Sequence, residues 1–392
     1  MILIFLMKKL AALVYAVMKL RFVHPKRVLL LSRQFDRLSL DYRLLISDLR
    51  KRDPSIEIVA VLCRFQNTNK RLPDVIRFFW AQLRSMHFLA TSAVCVLDSY
   101  WPAVSVLKHR DSLTVIQKWH AAGKIKQSGY QTIGKPYGRG TKVAGALDMH
   151  RGYDVIIAGG KKLNPFYCAS FNVTEDKLFN VGLPRQDWLL RHREGGRQQF
   201  LRQFPQYAGK KIVLYAPTFR VNDRLDCSRL VAAFDREDFA LIVRPHQRHL
   251  LAEGLELDTC PGVTTVEILC ACDWLITDYS AISFEAAAVG IKTVFYLYDY
   301  EQYKTNNGLN IDVARELPEC SYFTAEDVAG AIMADRYDEA AFNRFREQYL
   351  PKRLGHSTES ISKLILDCVE KGKYEGIHTN LERAAEAPVS VG

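Results

Sequence analysis

Short runs of apolar residues alternate along the chain with longer stretches of helical character. Runs of this length, bounded by turn residues, are typical of buried strands in a parallel sheet, and the stretches between them are typical of crossover helices. The runs predict strands at Arg27–Leu31, Ile56–Leu62, Ala93–Leu97, Leu113–Gln117, Tyr153–Ala158, Lys211–Tyr215, Ala240–Val243, Trp274–Thr277 and Thr293–Tyr296. The alternation predicts an α/β protein with parallel sheets.

A polar, glycine-paired stretch at 191–196 separates the first five predicted strands from the last four. We therefore predict one α/β domain at 25–195 and a second at 196–370. A segment at 1–24 precedes them, and a polar tail at 371–392 follows.

The first twenty residues are apolar, but Lys8 and Lys9 split them into two runs. Neither run reaches the roughly 20 residues that a spanning helix needs. Basic residues surround the segment, and the first acidic residue is Asp36. This pattern predicts an amphipathic helix that lies on an anionic membrane leaflet. An ordinary buried helix and a true span or signal anchor are the alternatives.

Composition and charge narrow the class of protein. The 392 residues are 48% hydrophobic, which excludes wholesale disorder, and the net charge of +11 favours an anionic partner. Nine scattered cysteines show neither a zinc spacing nor a disulfide framework, so they indicate a reducing, cytoplasmic location.

Four polar clusters each follow directly on a predicted strand. They are Trp119-His120, the stretch 216–220 (APTFR), the stretch 244–246 (RPH) and the stretch 277–280 (TDYS). In open parallel sheets, ligands bind outside the carboxyl ends of the strands. One cluster comes from the first domain and three from the second, which predicts a site in a cleft between them.

The chemistry of these clusters suits phosphate. Asp278 or Ser280 is predicted to cap the helix that follows, whose first turn then makes an anion site, and Glu285 one turn later is placed to accept hydrogen bonds from a ribose. The alternatives are that Asp278 or Ser280 caps the helix and does nothing more, and that Glu285 is a solvated acid on the helix surface.

His246 stands between Arg244 and Arg248, which suggests a diphosphate clamp. Thr218 and Arg220 add a hydroxyl and a bidentate phosphate donor. A purely structural histidine is the alternative reading of His246.

His120 lies in a glycine-rich, cationic segment that runs from Gln117 to Arg151 and contains Lys124, Lys126 and Arg139. Imidazole titrates near neutral pH, so His120 is a candidate general base. The segment suits a polyanionic acceptor, and a solvated basic loop is the alternative. We find no nicotinamide fingerprint, no P-loop and no Asp-x-Asp, so no metal ligand set is predicted.

These residues resemble the CDP-glycerol glycerophosphotransferase family of teichoic acid synthesis over most of the chain, from about Val28 to about Ser360. The stretches that carry the resemblance are LSRQFDRLSLDYRLL (31–45), WHAAGKIKQSGY (119–130), VGLPRQDWL (181–189), VLYAPTFR (213–220), RPH (244–246), LITDYSAISFEAAAVGIKTVFYLYDYEQY (275–303), GLN (308–310) and ELP (316–318).

The resemblance implies two Rossmann-like domains that face a central cleft, the GT-B arrangement, with acceptor binding at 25–195 and CDP-alditol binding at 196–370. It implies transfer of glycerol phosphate or ribitol phosphate from CDP-glycerol or CDP-ribitol to a lipid-linked glycan or polyol-phosphate acceptor, with release of CMP. Such an enzyme needs no cofactor beyond its substrates, binds no nucleic acid, and is peripheral to the cytoplasmic face of the cell membrane. The oligomeric state stays open.

Carried over residue by residue, the resemblance makes His120 the catalytic base and adds His246 as the second catalytic histidine. The implied donor-site residues are Thr218, Arg220, Arg244, Asp278, Ser280, Ala281 and Glu285. The implied acceptor-site residues are Lys124, Lys126 and Arg139. This chain has Ala121-Ala122-Gly123 where many members have Gly-Thr-Pro, Ala281 where many have serine, and Glu285 where many have aspartate.

Two other functions remain open at this stage. One is a glycosyltransferase of the same fold that uses a nucleotide sugar. The other is a non-catalytic, basic protein that binds membranes or nucleic acid. The sequence also leaves open glycerol or ribitol as the donor's alditol, and the addition of one unit or of many.

Overall fold

The computed structural model describes residues 2–65, 71–220, 224–234, 237–246, 250–252 and 256–372. Its strands are β1 His24–Ser32, β2 Glu57–Leu62, β3 Ser92–Leu97, β4 Thr114–Gln117, β5 Val155–Ala158, β6 Leu178–Asn180, β7 Lys211–Tyr215, β8 Arg224–Leu225, β9 Phe239–Val243, β10 Leu250–Leu251, β11 Trp274–Thr277, β12 Lys292–Tyr296 and β13 Ser321–Tyr322. Its α-helices are α1 Ile2–Met18, α2 Leu40–Arg52, α3 Leu72–Thr91, α4 Pro102–Val106, α5 Thr141–Ala146, α6 Asn164–Phe171, α7 Pro184–Gln203, α8 Ser228–Ala233, α9 Thr265–Ala271, α10 Ile282–Ala288, α11 Tyr300–Asn306, α12 Val313–Glu316, α13 Ala325–Met333, α14 Glu339–Tyr349 and α15 Ser357–Lys371.

All nine predicted strands are confirmed, with small shifts at their ends. The strands that the sequence pattern missed are β6, β8, β10 and β13, which have only two or three residues each. A run that short shows no periodicity, so it cannot be told from a loop by pattern alone.

The strands form two parallel sheets and one short pair. The first sheet has the order β2-β1-β3-β4-β5-β6, the second has the order β13-β12-β11-β7-β9, and β10 pairs with β8. The residues Val28–Leu31 and Val94–Leu97 at the centre of the first sheet are completely buried. Burial on both faces explains why these strands read as unbroken apolar runs. The predicted α/β class with parallel sheets is confirmed.

Helix α7 connects the two sheets and contains the stretch that the sequence singled out as a boundary. Its backbone leaves helical geometry at Glu194 and Gly195, where Gly195 has a φ of +78° that a residue without a Cβ tolerates. Helix α15 then returns to pack on α2 beside the first sheet. The division into 25–195 and 196–370 stays a prediction, and residues 373–392 of the predicted tail lie outside the described part of the chain.

A buried carboxylate on α7 holds the start of α15. The side chain of Asp187 accepts hydrogen bonds from the amides of Ser357 (3.0 Å) and Thr358 (2.6 Å) and from the Thr358 hydroxyl (2.6 Å). Amides in the first turn of a helix have no partner within the helix, and a carboxylate there also complements the helix dipole. The returning helix is therefore fixed against the connecting helix.

Helix α1 packs against α3, and one of its faces is partly buried. Tyr15 is buried, and its hydroxyl is 2.8 Å from Nδ1 of His109. Lys8 forms an ion pair of 2.6 Å with Asp148. Among the described residues, no helix combines the length and the apolar character that crossing a bilayer requires.

Candidate active site

Segments that follow the carboxyl ends of strands in the two sheets contact each other, and we call the region between these two walls the cleft. The segment after β4 touches the second half of the chain directly, because the Gln127 amide donates to the Gly308 carbonyl (3.0 Å) and the Asn310 amide donates to the Ile125 carbonyl (2.7 Å). A Cβ at Gly123 would overlap the ring of Phe284 on α10. The absence of a side chain at Gly123 therefore allows the close approach of the two walls.

His120 lies on the first wall, just after β4, and is half-buried. Its Nδ1 is 2.9 Å from the carbonyl oxygen of Asp98, which follows β3. A carbonyl oxygen can only accept, so Nδ1 carries the proton and Nε2 keeps its lone pair.

The electrostatic surroundings keep this imidazole neutral. Burial lowers the pKa of His120 to about 3. The hydrogen bond to Asp98 opposes the shift, and the cations Arg185, Lys124 and Lys118 add to it. A neutral histidine with a free Nε2 is the form that a general base requires.

The residue before His120 has a constrained backbone. Trp119 has a φ of +62°, in the left-handed region that residues with a Cβ rarely adopt, and its amide donates to Oε1 of Gln117 (2.9 Å). Its indole contacts the imidazole of His120, with 4.3 Å between the ring centroids. Strain of this kind persists only where the surrounding structure fixes it, and it clusters at functional sites.

Lys124 is 3% exposed, although it comes from a glycine-rich, cationic segment. Its Nζ donates to the Ser128 hydroxyl (2.9 Å) and lies 4.6, 5.1 and 4.3 Å from the ring centroids of Trp119, Tyr167 and Phe171. Burial, with a smaller contribution from Lys126, lowers the pKa of Lys124 to about 7. The structure therefore places this lysine behind Trp119, within the first wall.

The other two predicted acceptor residues lie nearer the surface. Lys126 is half-buried, and its carbonyl accepts from the Asn310 side chain (3.3 Å). Arg139 is half-buried, with its guanidinium carbon 4.9 Å from the ring centroid of Tyr100. The assignment of these three residues to the acceptor stays a prediction.

A buried network of charges joins the two walls behind His120. Asp41 on α2 is completely buried and forms ion pairs with Nζ of Lys118 (2.8 Å) and with the Arg185 guanidinium, while the Arg185 amide donates to it as well (2.9 Å). Although burial alone raises the pKa of a carboxyl, the two cations hold the pKa of Asp41 well below its ordinary value.

The network continues to the second wall through Glu285 on α10. Nη1 of Arg185 is 3.7 Å from Oε1 of Glu285, and Oε2 of Glu285 has no hydrogen-bond partner among the described residues. Burial raises the pKa of Glu285 to about 7, and Arg185 opposes the shift. The structure thus places Glu285 in the cleft, facing the first half of the chain.

On the second wall, Asp278 directly follows β11 and binds the loop after β7. Its two oxygens accept from the Thr218 amide (2.9 and 3.0 Å), and it pairs with Nη2 of Arg220 (2.9 Å). The Thr218 hydroxyl is buried and has no hydrogen-bond partner among the described residues. It is therefore the group of this trio that remains available to a ligand.

Arg220 is almost completely buried, and its donors contact protein acceptors. Its Nε pairs with Asp299 (2.5 Å), and its Nη1 donates to the Thr218 carbonyl (2.7 Å). The guanidinium also lies 4.5 Å from the ring centroid of Tyr303 and 5.2 Å from that of Tyr279. In this structure Arg220 joins the loop after β7 to Asp278 and Asp299, and its predicted contact with phosphate stays a prediction.

The predicted cap of α10 is wrong. The N-cap residue is Ala281, and no side chain makes a capping hydrogen bond there. Asp278 turns instead to the Thr218 amide, while the Ser280 hydroxyl reaches only the Ile282 amide, at 3.5 Å. The tertiary partner of Asp278 comes from 60 residues away, so local capping rules did not reveal it.

The predicted diphosphate clamp is described only in part, since Arg248 lies outside the described residues. His246 is exposed, with its ring centroid 5.6 Å from that of Phe219. Arg244 donates to the carbonyls of Thr259 (2.7 Å) and Val263 (3.1 Å). The clamp stays a prediction.

No group of three or more histidine, cysteine or acidic side chains within the described ranges is arranged to hold a metal ion. The chemistry that these walls offer is that of a neutral imidazole on the first wall, and of a hydroxyl (Thr218) and a carboxyl group (Glu285) on the second. Asp41, Asp98 and Arg185 were not singled out in the sequence, although Asp41 and Arg185 lie within stretches that carry the family resemblance.

The model of the CDP-Glycerol:Poly(glycerophosphate) glycerophosphotransferase family matches residues 13–367. Among curated relatives, the teichoic acid ribitol-phosphate primase of Bacillus spizizenii is 26% identical over 367 residues, covering 89% of this chain and 93% of the primase. The teichoic acid glycerol-phosphate primase of Bacillus subtilis is 24% identical over 296 residues, covering 72% of this chain and 76% of that protein. The alignment with the poly(ribitol-phosphate) polymerase of Bacillus spizizenii covers 53% of the polymerase.

Solved structures show the same fold. The wall teichoic acid polymerase TagF superposes with a TM-score of 0.69 at 16% identity, covering 91% of this chain and 93% of the TagF chain. The UDP-GlcNAc 2-epimerase of Methanocaldococcus jannaschii superposes with a TM-score of 0.51 at 12% identity, covering 87% of this chain and 99% of the epimerase chain. At these identities the likeness shows the fold alone, a GT-B-like pair of parallel sheets.

Proposed function

Because the chain belongs to the CDP-glycerol:poly(glycerophosphate) glycerophosphotransferase family, we propose that it transfers an alditol phosphate from a CDP-alditol to a hydroxyl of a teichoic-acid-type acceptor. The observation that carries this proposal is the neutral imidazole of His120, whose Nδ1–H is bound to the Asp98 carbonyl. On the second wall, the Thr218 hydroxyl and Oε2 of Glu285 have no hydrogen-bond partner among the described residues. Relatives of this chain carry names of primases and polymerases for ribitol phosphate and glycerol phosphate.

The reaction that we propose balances without a cofactor. The acceptor hydroxyl attacks the phosphorus that carries the alditol, a new oxygen–phosphorus bond forms, and the bond to the bridging oxygen of CMP breaks. Nε2 of His120 takes the hydroxyl proton. Negative charge develops on the departing CMP phosphate, where the Thr218 hydroxyl of the second wall can donate to it. Asp278 and Arg220 hold the Thr218 loop in position for the donor.

The donor is tested by CMP release from CDP-glycerol and CDP-ribitol in parallel, with a lipid-linked disaccharide as acceptor. We expect acceptor-dependent release from one of the two donors, and a strong loss of it in Thr218→Val, which removes the hydroxyl at nearly constant volume. Thr174→Val is the matched control, since Thr174 is exposed, makes no capping hydrogen bond and precedes β6, at the edge of the first sheet opposite its carboxyl end. Release from UDP sugars and from neither CDP-alditol would favour the glycosyltransferase.

We further propose that the protein binds the cytoplasmic face of an anionic membrane through α1 and α3, which pack against each other. Leu10, Leu13 and Val17 form an exposed apolar stripe on α1. On α3, the residues Leu72, Val75, Ile76, Phe79 and Trp80 are exposed at helical spacing, with Trp80 at 63%. An exposed apolar surface of this kind marks a site of membrane or protein contact. Exposed cations at its margin (Lys9, Arg21, Arg71 and Lys108) suit anionic headgroups.

Membrane binding is tested by sedimentation with vesicles of phosphatidylglycerol or of phosphatidylcholine. We expect binding to the anionic vesicles that weakens in high salt. The double variant Phe79→Ala, Trp80→Ala should lower the partition coefficient at least about tenfold, because each large side chain contributes roughly 1.5–3 kcal/mol when buried in an apolar phase. Phe323→Ala, an exposed aromatic of the second half, is the control. Equal binding by both variants would contradict the assigned surface.

A further inference from the structure

The imidazole of His120 is held in two ways. Its Nδ1 binds the Asp98 carbonyl, and its ring lies against the indole of Trp119, with 4.3 Å between the ring centroids. A hydrogen bond through one nitrogen fixes that atom, whereas a contact with the ring limits how far the imidazole can turn about the bond. The direction in which Nε2 points therefore depends on the position of the indole.

The indole of Trp119 is in turn in contact with Lys124. The Nζ of this lysine lies 4.6 Å from the Trp119 ring centroid, and the rings of Tyr167 and Phe171 enclose it further, at 5.1 and 4.3 Å. An aromatic ring attracts a cation at this distance, and the attraction is stronger where water is excluded. Lys124 is buried, so its amine holds the indole in a desolvated contact.

The stability of the fold does not explain a lysine at this position. Among the described residues, the charge that acts on its amine is another cation, Lys126, and the acceptor of its hydrogen bond is the neutral Ser128 hydroxyl (2.9 Å). The lowered pKa of Lys124 shows that the site disfavours the charged form. Replacing a buried charge by an apolar side chain of similar size is often neutral or stabilising. The lysine therefore serves a purpose other than folding.

Ser128 and Gln131 link Lys124 to the second half of the chain. The Ser128 amide donates to Oε1 of Gln131 (3.4 Å), and so does the hydroxyl of Ser170 (2.7 Å), which is 3.3 Å from the Ser128 hydroxyl. The side chains of Gln131 and Asn310 then pair through their amide groups. Nε2 of Gln131 donates to Oδ1 of Asn310 (2.6 Å), and Nδ2 of Asn310 is 3.4 Å from Oε1 of Gln131.

Asn310 is itself fixed to both walls of the cleft. Its backbone amide donates to the Ile125 carbonyl (2.7 Å) of the first wall. It follows α11, whose Tyr303 stacks on Tyr279 with 4.1 Å between the ring centroids, and Tyr279 directly follows Asp278 of the second wall. A continuous series of contacts thus leads from the second wall through Asn310 to the amine behind Trp119.

We propose that Lys124 is a positioning residue for His120, which acts through the indole of Trp119, and that Asn310 holds Lys124 in place from the second half of the chain. The inference rests on the proposed transferase function. It deepens that function by giving Lys124 a role other than the acceptor contact that the family resemblance implies. It also makes the alignment of the base depend on the contact between the two halves.

Steady-state kinetics of CMP release separate positioning from acceptor binding. At a pH below 7, where Lys124 is charged, we expect Lys124→Met to lower kcat by roughly 10–100-fold, because small displacements of a reacting group have effects of that size. KM for the CDP-alditol and for the acceptor should stay near the wild-type values. The midpoint of thermal unfolding should not fall, since the variant removes a buried charge.

Asn310→Ala should also lower kcat without a change in either KM. In the double variant with Lys124→Met, the loss should be smaller than the product of the two single losses, because both residues act through one series of contacts. Lys292→Met and Asn343→Ala are the matched controls. Lys292 lies over the ring of another tryptophan, Trp274 (5.1 Å), at the start of β12, and Asn343 is exposed on α14.

Fluorine NMR of protein labelled with 5-fluorotryptophan reports on the indole without turnover. The chain has five tryptophans, and Trp119→Phe identifies the signal of Trp119. We expect Asn310→Ala to shift or broaden this signal, although Asn310 is linked to the indole only through Gln131, Ser128 and Lys124. Lys292→Met should leave the Trp119 signal unchanged.

Three results would overturn the proposal: a wild-type kcat in Lys124→Met, a Trp119 signal that Asn310→Ala leaves unaltered, or a raised KM for the acceptor at unchanged kcat in Lys124→Met. The last of these would support the acceptor contact instead. Wild-type protein that releases no CMP from either CDP-alditol would refute the transferase. A Trp119 signal that still moves in Asn310→Ala would then reduce Lys124 and Asn310 to a structural link between the two halves.

Discussion

Replacing His120 with alanine is expected to lower kcat/KM for alditol phosphate transfer by roughly 10²–10⁴-fold, the usual contribution of a positioned general base. The variant removes the imidazole whose geometry and neutral state, within the part of the chain that the structure describes, fit proton removal from a hydroxyl. Its fold should be intact, because the imidazole makes a single hydrogen bond, to the Asp98 carbonyl. The measurement is acceptor-dependent CMP release with the preferred CDP-alditol.

A histidine outside the cleft is the matched control. His192 on α7 is exposed, and its ring is bound to the Trp188 carbonyl (2.8 Å). His192→Ala should transfer at the wild-type rate. If His120→Ala kept more than a tenth of the wild-type activity, the base would have to be another group.

The pH profile separates His120 from its titrating neighbours. With a folded pKa of about 3 against an ordinary 6.5, the imidazole stays neutral from pH 5 to 8, so loss of activity through its protonation begins only below pH 5. Lys124 and Glu285 have pKa values of about 7 and titrate inside this range. If activity changes with an apparent pKa near 7, that pKa should therefore shift in Lys124→Met or in Glu285→Gln. A limb at 6.5 that neither variant moves would contradict the environment described for His120.

The lowered pKa of His120 also makes the free energy of unfolding depend on pH. The unfolded chain takes up a proton at this histidine below pH 6.5, whereas the folded chain resists protonation until about pH 3. His120 therefore favours unfolding progressively as the pH falls through that window, and it has no such effect above pH 6.5.

Much of the architecture was predictable because its strands are buried on both faces. Val28–Leu31 is an unbroken apolar run in the sequence because all four of its residues are completely buried in the structure. The polar residues that end these strands, His120 and Asp278 among them, were predictable from position alone. Strand β13 was not, since two residues carry no period.

The partners of the site residues could not be read from the sequence. Asp41 and Arg185 are 144 positions apart, and no local sequence pattern indicates an ion pair between residues so far apart. Lys124 follows Gly123 in a segment that reads as an open basic loop, yet Tyr167 and Phe171 of α6 enclose its amine. Tertiary contacts decide the exposure of such residues, and local composition describes only the chain next to them.

Removing the buried carboxylate of Asp41 should lower the stability of the fold, because this carboxylate pairs with both Lys118 and Arg185. Asp41→Asn is expected to destabilise the protein by about 3–5 kcal/mol, because breaking a buried ion pair leaves uncompensated charge in the interior. Lys118 is as buried as Asp41 itself, and the Arg185 guanidinium loses its main acceptor. Urea unfolding at pH 7, followed by fluorescence, measures the loss.

Asp48→Asn on the same helix is the matched control, since the ion pair that Asp48 forms among the described residues is with Arg52, one turn away and partly exposed (2.6 Å). A pair of that kind contributes about 0.3–0.5 kcal/mol.

The difference in unfolding free energy between the two variants should also depend on pH with a definite sign. The folded pKa of Asp41 is depressed, so its contribution is complete above the ordinary value near 4 and is lost as the pH falls toward the folded value. The two variants should therefore converge in strong acid. Equal stability of both variants at pH 7 would show that the buried ion pairs of Asp41 with Lys118 and Arg185 do not stabilise the fold.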